Sequence, residues 1–147
     1  MMNIKVNIKK TMEDAILPTY GSEYAAGADL YSCSDKTEIA PGETVLMHTG
    51  VAIELPVGYV GLAYARSGLA SKRGLAPANK VGVIDCDYRG EIMVALHNHS
   101  DEARVIEAGE RVAQIALLPF LAADFDVVDE LSDTTRGAGG FGSTGRK

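Results

Sequence analysis

An aspartate that closes a hydrophobic run and opens a turn is a candidate base. Asp85 holds that position in the stretch 79–92, NKVGVIDCDYRGEI. Emerging behind Val83-Ile84, its carboxylate would be partly desolvated, which suits a group that takes a proton from water. Apolar runs on both sides of a glycine-containing turn predict a β-hairpin, with Asp85, Asp87, Tyr88 and Arg89 around its tip. Asp and Gly are also ordinary turn formers, so a structural reading of the same letters stands beside the catalytic one.

A second cluster, ARSGLASKRGL over 65–75, sets Arg66, Ser67 and Gly68 at the expected start of a short helix. A guanidinium fork, a hydroxyl and a glycine that lets backbone approach a ligand suit phosphate binding. A serine N-cap beside a surface arginine is the alternative. Two weaker pieces flank these. AGADLYS (26–32) puts Asp29 after a glycine turn, as a turn former or as an outer-shell partner for a metal. GERVAQI (109–115) places Gln114 in an apolar strand, where its amide needs partners. The last segment, RGAGGFGSTGRK from Arg136, is rich in glycine and costly to order. It reads as a disordered end. Yet Arg136, Phe141, Ser143 and Thr144 are groups that could close over an aromatic, phosphorylated ligand.

Other chemistries find no support. There is no GxxxxGK[ST] phosphate loop, no GxSxG elbow and no HExxH. His97 and His99 lack a third ligand at suitable spacing and read as strand-end surface residues, and His48 is isolated. A net charge of −6 disfavours a nucleic-acid polymer as partner. It leaves room for a small anion, because screening confines distant charge to about 8 Å. Two cysteines without ligand spacing point to a reducing compartment. The opening MMNIKVNIKK lacks the apolar run of a signal peptide, and no stretch is long enough to span a membrane. A soluble, cytoplasmic protein is expected.

These groups must be held by strands. Alternation of polar and apolar residues predicts a half-buried strand over 3–9, with further strands over 45–55, 58–64, 80–84, 91–97 and 111–118. Turn signals separate them at Pro41-Gly42, Pro56-Val57-Gly58, Asp87–Gly90 and Ala108-Gly109-Glu110. Many short strands at even spacing predict an all-β sandwich or jelly roll, with one short helix near 67–73.

In this order, AGADLYS, ARSGLASKRGL, NKVGVIDCDYRGEI, GERVAQI and RGAGGFGSTG resemble the five motifs of the trimeric deoxyuridine triphosphatase (dUTPase) family, over nearly the whole chain. The resemblance implies a jelly-roll β-sandwich over 1–135 and a flexible C-terminal lid over 136–147. It also implies a homotrimer with active sites shared between subunits. The implied reaction is hydrolysis of dUTP to dUMP and pyrophosphate, which limits uracil incorporation into DNA and supplies dUMP for thymidylate synthesis. Asp85 would be the base for in-line attack on the α-phosphorus. Asn79 and the backbone around Val83 would read uracil, and Tyr88 would pack beneath deoxyribose. Arg66, Ser67, Gly68 and Gln114 would contact the triphosphate. Mg²⁺ would be held by phosphates and water, with Asp29 in its outer shell. Arg136, Phe141, Gly142, Ser143 and Thr144 would come from the lid, Phe141 stacking on the base.

Ala65 and Ala28 depart from commoner family residues, and Lys72-Arg73 adds charge at a variable place. Two rival readings are a dCTP deaminase, for which Glu91 is the nearby candidate acid, and a catalytically silent binding protein. The second would be expected to lose Asp85, Tyr88 or the tail, and all are present.

Overall fold

The computed structural model describes residues 4–140. Phe141, Gly142, Ser143 and Thr144 lie outside the described residues. In chain order come β1 (Asn7–Lys10), β2 (Thr19–Tyr20), β3 (Ala28–Tyr31) and β4 (Thr37–Ile39). Next are β5 (Thr44–His48), β6 (Val51–Glu54), β7 (Tyr59–Tyr64) and the helix α1 (Ser67–Arg73). β8 (Leu75–Pro77), β9 (Val81–Ile84), β10 (Met93–Asn98), β11 (Arg104–Ile106) and β12 (Arg111–Pro119) complete the series.

One sheet has the order β2-β3-β12-β7-β9 and a second β5-β10-β8, with the ribbons β1-β6 and β11-β4 beside them. Every pairing is antiparallel. This is the expected jelly-roll sandwich. Its two main sheets share one core, to which the first contributes Leu30, Ala63, Ile84, Ala113 and Ile115, and the second Met47, Leu75, Val94 and Leu96. Strand alternation builds that core: along β10, Val94, Leu96 and Asn98 point inward while Met93 and its even-spaced neighbours do not. Each fully buried Leu or Ile stabilises by about 1.5–3 kcal/mol relative to exposure. The buried polar exception, Asn98, is saturated. Its amide donates to the carbonyls of Ile39 and Glu102, and its oxygen accepts from the Ser100 amide and hydroxyl.

Three expectations need correction. The strand expected over 45–55 is two strands in different sheets. Gly50, at φ 68, turns the chain between them, and an apolar run conceals such a break. The first strand is exposed at all four residues rather than half-buried. The hairpin expected over 79–92 does not form as such, because β9 pairs with β7 while β10 pairs with β5 and β8. The helix covers the expected 67–73.

The packed body ends at β12, and residues 118–138 are exposed. No helix among the described residues is long and apolar enough to cross a membrane.

Candidate active site

The outer face of the five-stranded sheet gathers several of the groups expected to receive an anion. Gln114 on β12 is paired with Asp29 on one side and with Tyr64 on the other, so all three side chains share a face. Arg66 lies two residues beyond Tyr64 in extended backbone and so keeps to that face. Arg111 joins it through an irregularity. The register of β12 shifts between Arg111 and Ala113, so Arg111 sits opposite Tyr31 while Gln114 sits opposite Asp29. A regular strand would turn residues three apart to opposite faces; the bulge turns both toward Asp29.

Asp29 is therefore a strand residue at the centre of a charge cluster, not a turn former. Arg66 donates through Nε to its Oδ1 at 2.7 Å, and Arg111 through Nη1 to its Oδ2 at 3.2 Å. The buried carboxylate needs such partners, since its desolvation is offset only by opposite charge and hydrogen bonds. Gln114 donates to the Ala65 carbonyl at 2.9 Å. Its amide lies so close to Gly27 that a Cβ there would meet Oε1 at 2.5 Å. Sequence reading gave Gln114 a need for partners but found neither Arg111 nor Gly27. The period-two pattern puts Arg111 on the wrong face, and only the bulge reverses that.

Helix α1 begins beside this cluster. Its N-cap is Arg66, no side chain caps it, and Ser67 is the first helical residue. The alternative reading of Ser67 as N-cap is thereby corrected: its hydroxyl is not spent on capping, and Ser67 and Gly68 are exposed. Arg73 anchors the other end of the helix to Glu110 and to the Val105 carbonyl.

The second half of the site is a slot. The arms around 79–92 start together: Leu96 opposes Pro77, and the Ala78 amide donates to the Ala95 carbonyl at 2.7 Å. At Asn79-Lys80, where Lys80 has φ 66, the first arm leaves to join β7. The split leaves a cavity of about 290 Å³ lined by Leu46, Ala63, Asn79, Gly82, Val83, Ile84, Asp85, Tyr88, Glu91, Ile92 and Met93. β9 is an edge strand, so its backbone on the slot side has no strand partner among the described residues. Asp85 stands exposed where β9 ends. The partial desolvation expected for it is not provided within one chain.

Tyr88 folds back over Gly90, and its hydroxyl donates to the Glu91 carbonyl at 2.9 Å. The Glu91 carboxylate is engaged by the Gly50 amide at 2.7 Å and by His48 Nδ1 at 2.9 Å, so it is not free to act as a deaminase acid. A further hollow of about 360 Å³ lies behind this loop, lined by Lys5, Asn7, Glu54, Cys86, Asp87 and Arg89 among others. It contains none of the expected site residues.

The two halves stand apart. Asp85 continues β9 to the level of Val60 on β7, six residues from Arg66. At about 3.3 Å per residue that is roughly 20 Å along the strands, beyond any side-chain contact. Arg136 Nε donates to the Gly139 carbonyl at 2.8 Å, within its own turn. His97 bonds Thr44 and packs edge-on against His99 at 4.3 Å. Desolvation first, then the charges of Lys80 and His97, hold His99 below the ordinary histidine range. Both fit the surface role expected of them. Among the described residues no group of three His, Cys, Asp or Glu is placed to hold a metal. Those residues therefore assemble no direct three-ligand site for a divalent ion.

Known proteins resemble this chain closely. The family model described as dUTPase matches residues 13–145. A deoxyuridine 5'-triphosphate nucleotidohydrolase of Hydrogenobaculum sp. is 50% identical over 144 residues, covering 98% of this chain and 100% of the relative. The protein of that name from Desulfitobacterium hafniense is 51% identical over 149 residues, covering 99% of each. Among solved structures, the dUTPase of Staphylococcus bacteriophage 80alpha with dUPNHPP superposes with a TM-score of 0.90 at 29% identity. That match covers 97% of this chain and 99% of the phage chain.

Proposed function

The chain belongs to the dUTPase family, and from that premise we propose that it hydrolyses dUTP to dUMP and pyrophosphate with Asp85 as the base. The observation that carries this reading is the slot, which brings Asn79, Val83, Asp85 and Tyr88 around one cavity. Uracil enters between the diverging arms, where the unpaired edge of β9 offers main-chain donors and acceptors. Asn79, whose amide lies over Gly82, adds a side-chain contact. Cytosine would leave such groups mismatched, a stronger filter than shape alone. The Tyr88 ring then lies under the deoxyribose and excludes a ribose 2′-hydroxyl.

The triphosphate is received by Arg66, Ser67, Gly68 and Gln114. Arg66 spends Nε on Asp29 and keeps its two terminal nitrogens for phosphate oxygens. The Gln114 amide nitrogen has a second hydrogen beyond the one given to Ala65. Asp85 takes a proton from a water aligned with the α-phosphorus, and pyrophosphate leaves as the guanidinium groups balance its charge. Magnesium, brought by the triphosphate, would neutralise phosphate charge, its water shell meeting Asp29. Arg136, Phe141, Gly142, Ser143 and Thr144 close the site, Phe141 over the base, and exclude bulk water.

The separation of the two halves within one chain supports a homotrimer whose sites join the phosphate cluster of one subunit to the slot of another. Docking would also bury Asp85 and supply its missing desolvation. The role proposed is cytoplasmic: removing dUTP before uracil enters DNA and supplying dUMP for thymidylate synthesis.

Pyrophosphate release with Mg²⁺ from dUTP, dCTP, dTTP and UTP in parallel tests this. Turnover of dUTP alone is expected. Ammonia from dCTP would instead support a deaminase, and silence with dUTP a binding protein.

A further inference from the structure

Tyr88 owes its position to the chain behind it. Its ring lies so close over Gly90 that a Cβ there would overlap the ring and its hydroxyl oxygen, and that hydroxyl is tied to the Glu91 carbonyl. The peptide beneath the ring is clamped in turn. Glu91 Oε1 accepts from the Gly50 amide at 2.7 Å, and Oε2 meets His48 Nδ1 at 2.9 Å. The next residue, Ile92, donates to the Val51 carbonyl at 2.8 Å and accepts from the Thr49 hydroxyl.

The far side of the clamp is equally fixed. Gly50 has φ 68, and a Cβ on it would meet Ala15 at 2.6 Å and Cys33 Sγ at 3.0 Å. Its carbonyl accepts from the Thr11 amide at 2.8 Å. The Glu91 side chain is only 16% exposed, so these bonds, rather than water, satisfy its carboxylate.

We propose that Glu91 is a positioning residue for sugar selection, holding the Gly90-Glu91 peptide against the Thr49-Gly50 turn so that the Tyr88 ring cannot recede from the sugar. The proposal rests on the reading of Tyr88 as the wall beneath deoxyribose. Its physical basis is the smallness of the group to be rejected. A pocket that yields readmits a substrate enlarged by one hydroxyl, and displacement by about 1 Å decides alignment. Tyr88 is an exposed residue of a surface loop, and its own contacts run to Gly90 and the Glu91 carbonyl, so its stiffness is only that of the peptide it rests on. The Glu91 clamp holds that peptide.

The experiment measures kcat/KM for dUTP and UTP in the full-length protein and in Glu91→Ala, Glu91→Gln and His48→Ala. Glu91→Ala is expected to lower the dUTP/UTP ratio by about tenfold, the scale on which a pocket discriminates one small group. Most of that change should come from improved relative use of UTP. Glu91→Gln keeps an acceptor for the Gly50 amide and should restore most of the ratio. His48→Ala, which removes only a half-exposed partner, should change it by less than about threefold.

An unchanged ratio in Glu91→Ala, even with turnover of both substrates reduced alike, would show a merely structural role and overturn the proposal. If Glu91→Ala does not fold, Glu91→Asp, too short to hold both partners, decides by the same ratio. The unsubstituted chain is the control for the underlying reading. Failure to hydrolyse dUTP would sink that reading, whereas selective hydrolysis with an indifferent Glu91 sinks the clamp alone.

Discussion

The phosphate cluster and the slot are built on opposite principles. Around Asp29 the chain satisfies itself: both carboxylate oxygens hold guanidinium groups, and Gln114 is wedged between the Ala65 carbonyl and Gly27. Around Asp85 it withholds satisfaction. β9 keeps an open edge, Val83 is 64% exposed, and Asp85 faces solvent. The first half can be preorganised within one chain, since an anion site needs fixed positive charge and little shape. On the proposed reading the second reads a base and activates a water, and both tasks require groups left free for a ligand. Preorganised charge and uncommitted polarity are thus separated in space within one chain, and in the proposed homotrimer it is assembly that would bring them together.

The sharpest way to break this contrast is Asp85→Asn. It should lower dUTP turnover by about 10²–10⁴ while leaving dUTP binding intact. Near-normal kcat would remove the chemistry from the slot. Phe141→Ala tests whether the slot needs a cover. A loss of about 1–3 kcal/mol in dUTP affinity is expected by titration, as for other base–aromatic stacks, and unchanged affinity would leave the open half as the whole base site.

On the other side, Asp29→Asn leaves Arg66 and Arg111 facing an uncharged amide. Chemical denaturation should show about 1–3 kcal/mol of lost stability, below the cost of breaking a fully buried pair because Arg111 is half-exposed. A stable variant would mean that the cluster is not held by its charges. The smallest effect belongs to Gly27→Ala, which pushes Gln114 off its carbonyl at about 1 kcal/mol or slightly more. Its KM for dUTP should rise with kcat nearly kept, and an effect on kcat alone would assign Gln114 to the chemistry instead.

The same contrast marks what the sequence could reveal. Asp85, Tyr88 and Arg66 stand out as candidates because their types, next to turns and glycines, carry chemical meaning, and because motif order resembles that of a known family. The extent of the helix over 67–73 was legible although its N-cap was not, since Arg66 rather than Ser67 holds that position. The divergence of β9 from β10 was not. Alternation reports which residues face inward but not which neighbour a strand chooses, and two apolar arms around a turn look alike whether they pair or part. Arg111 was hidden by a one-residue irregularity that inverts a face without altering composition. The Glu91–Gly50–His48 clamp joins positions more than forty residues apart, and only the fold brings them together.

The open edge of β9 has a consequence for heredity. A recognition surface made of side chains can be revised by single codon changes, each swapping one functional group. One made of amide and carbonyl groups, as proposed for β9, is the same in every coding sequence, so its preference for a base would resist drift. On the proposed reading, escape from a compound that imitates that base would come largely by reshaping the slot, for instance through Gly82, Asn79 or the Lys80 turn, which the substrate would also need. Such changes would tend to cost activity before they conferred protection.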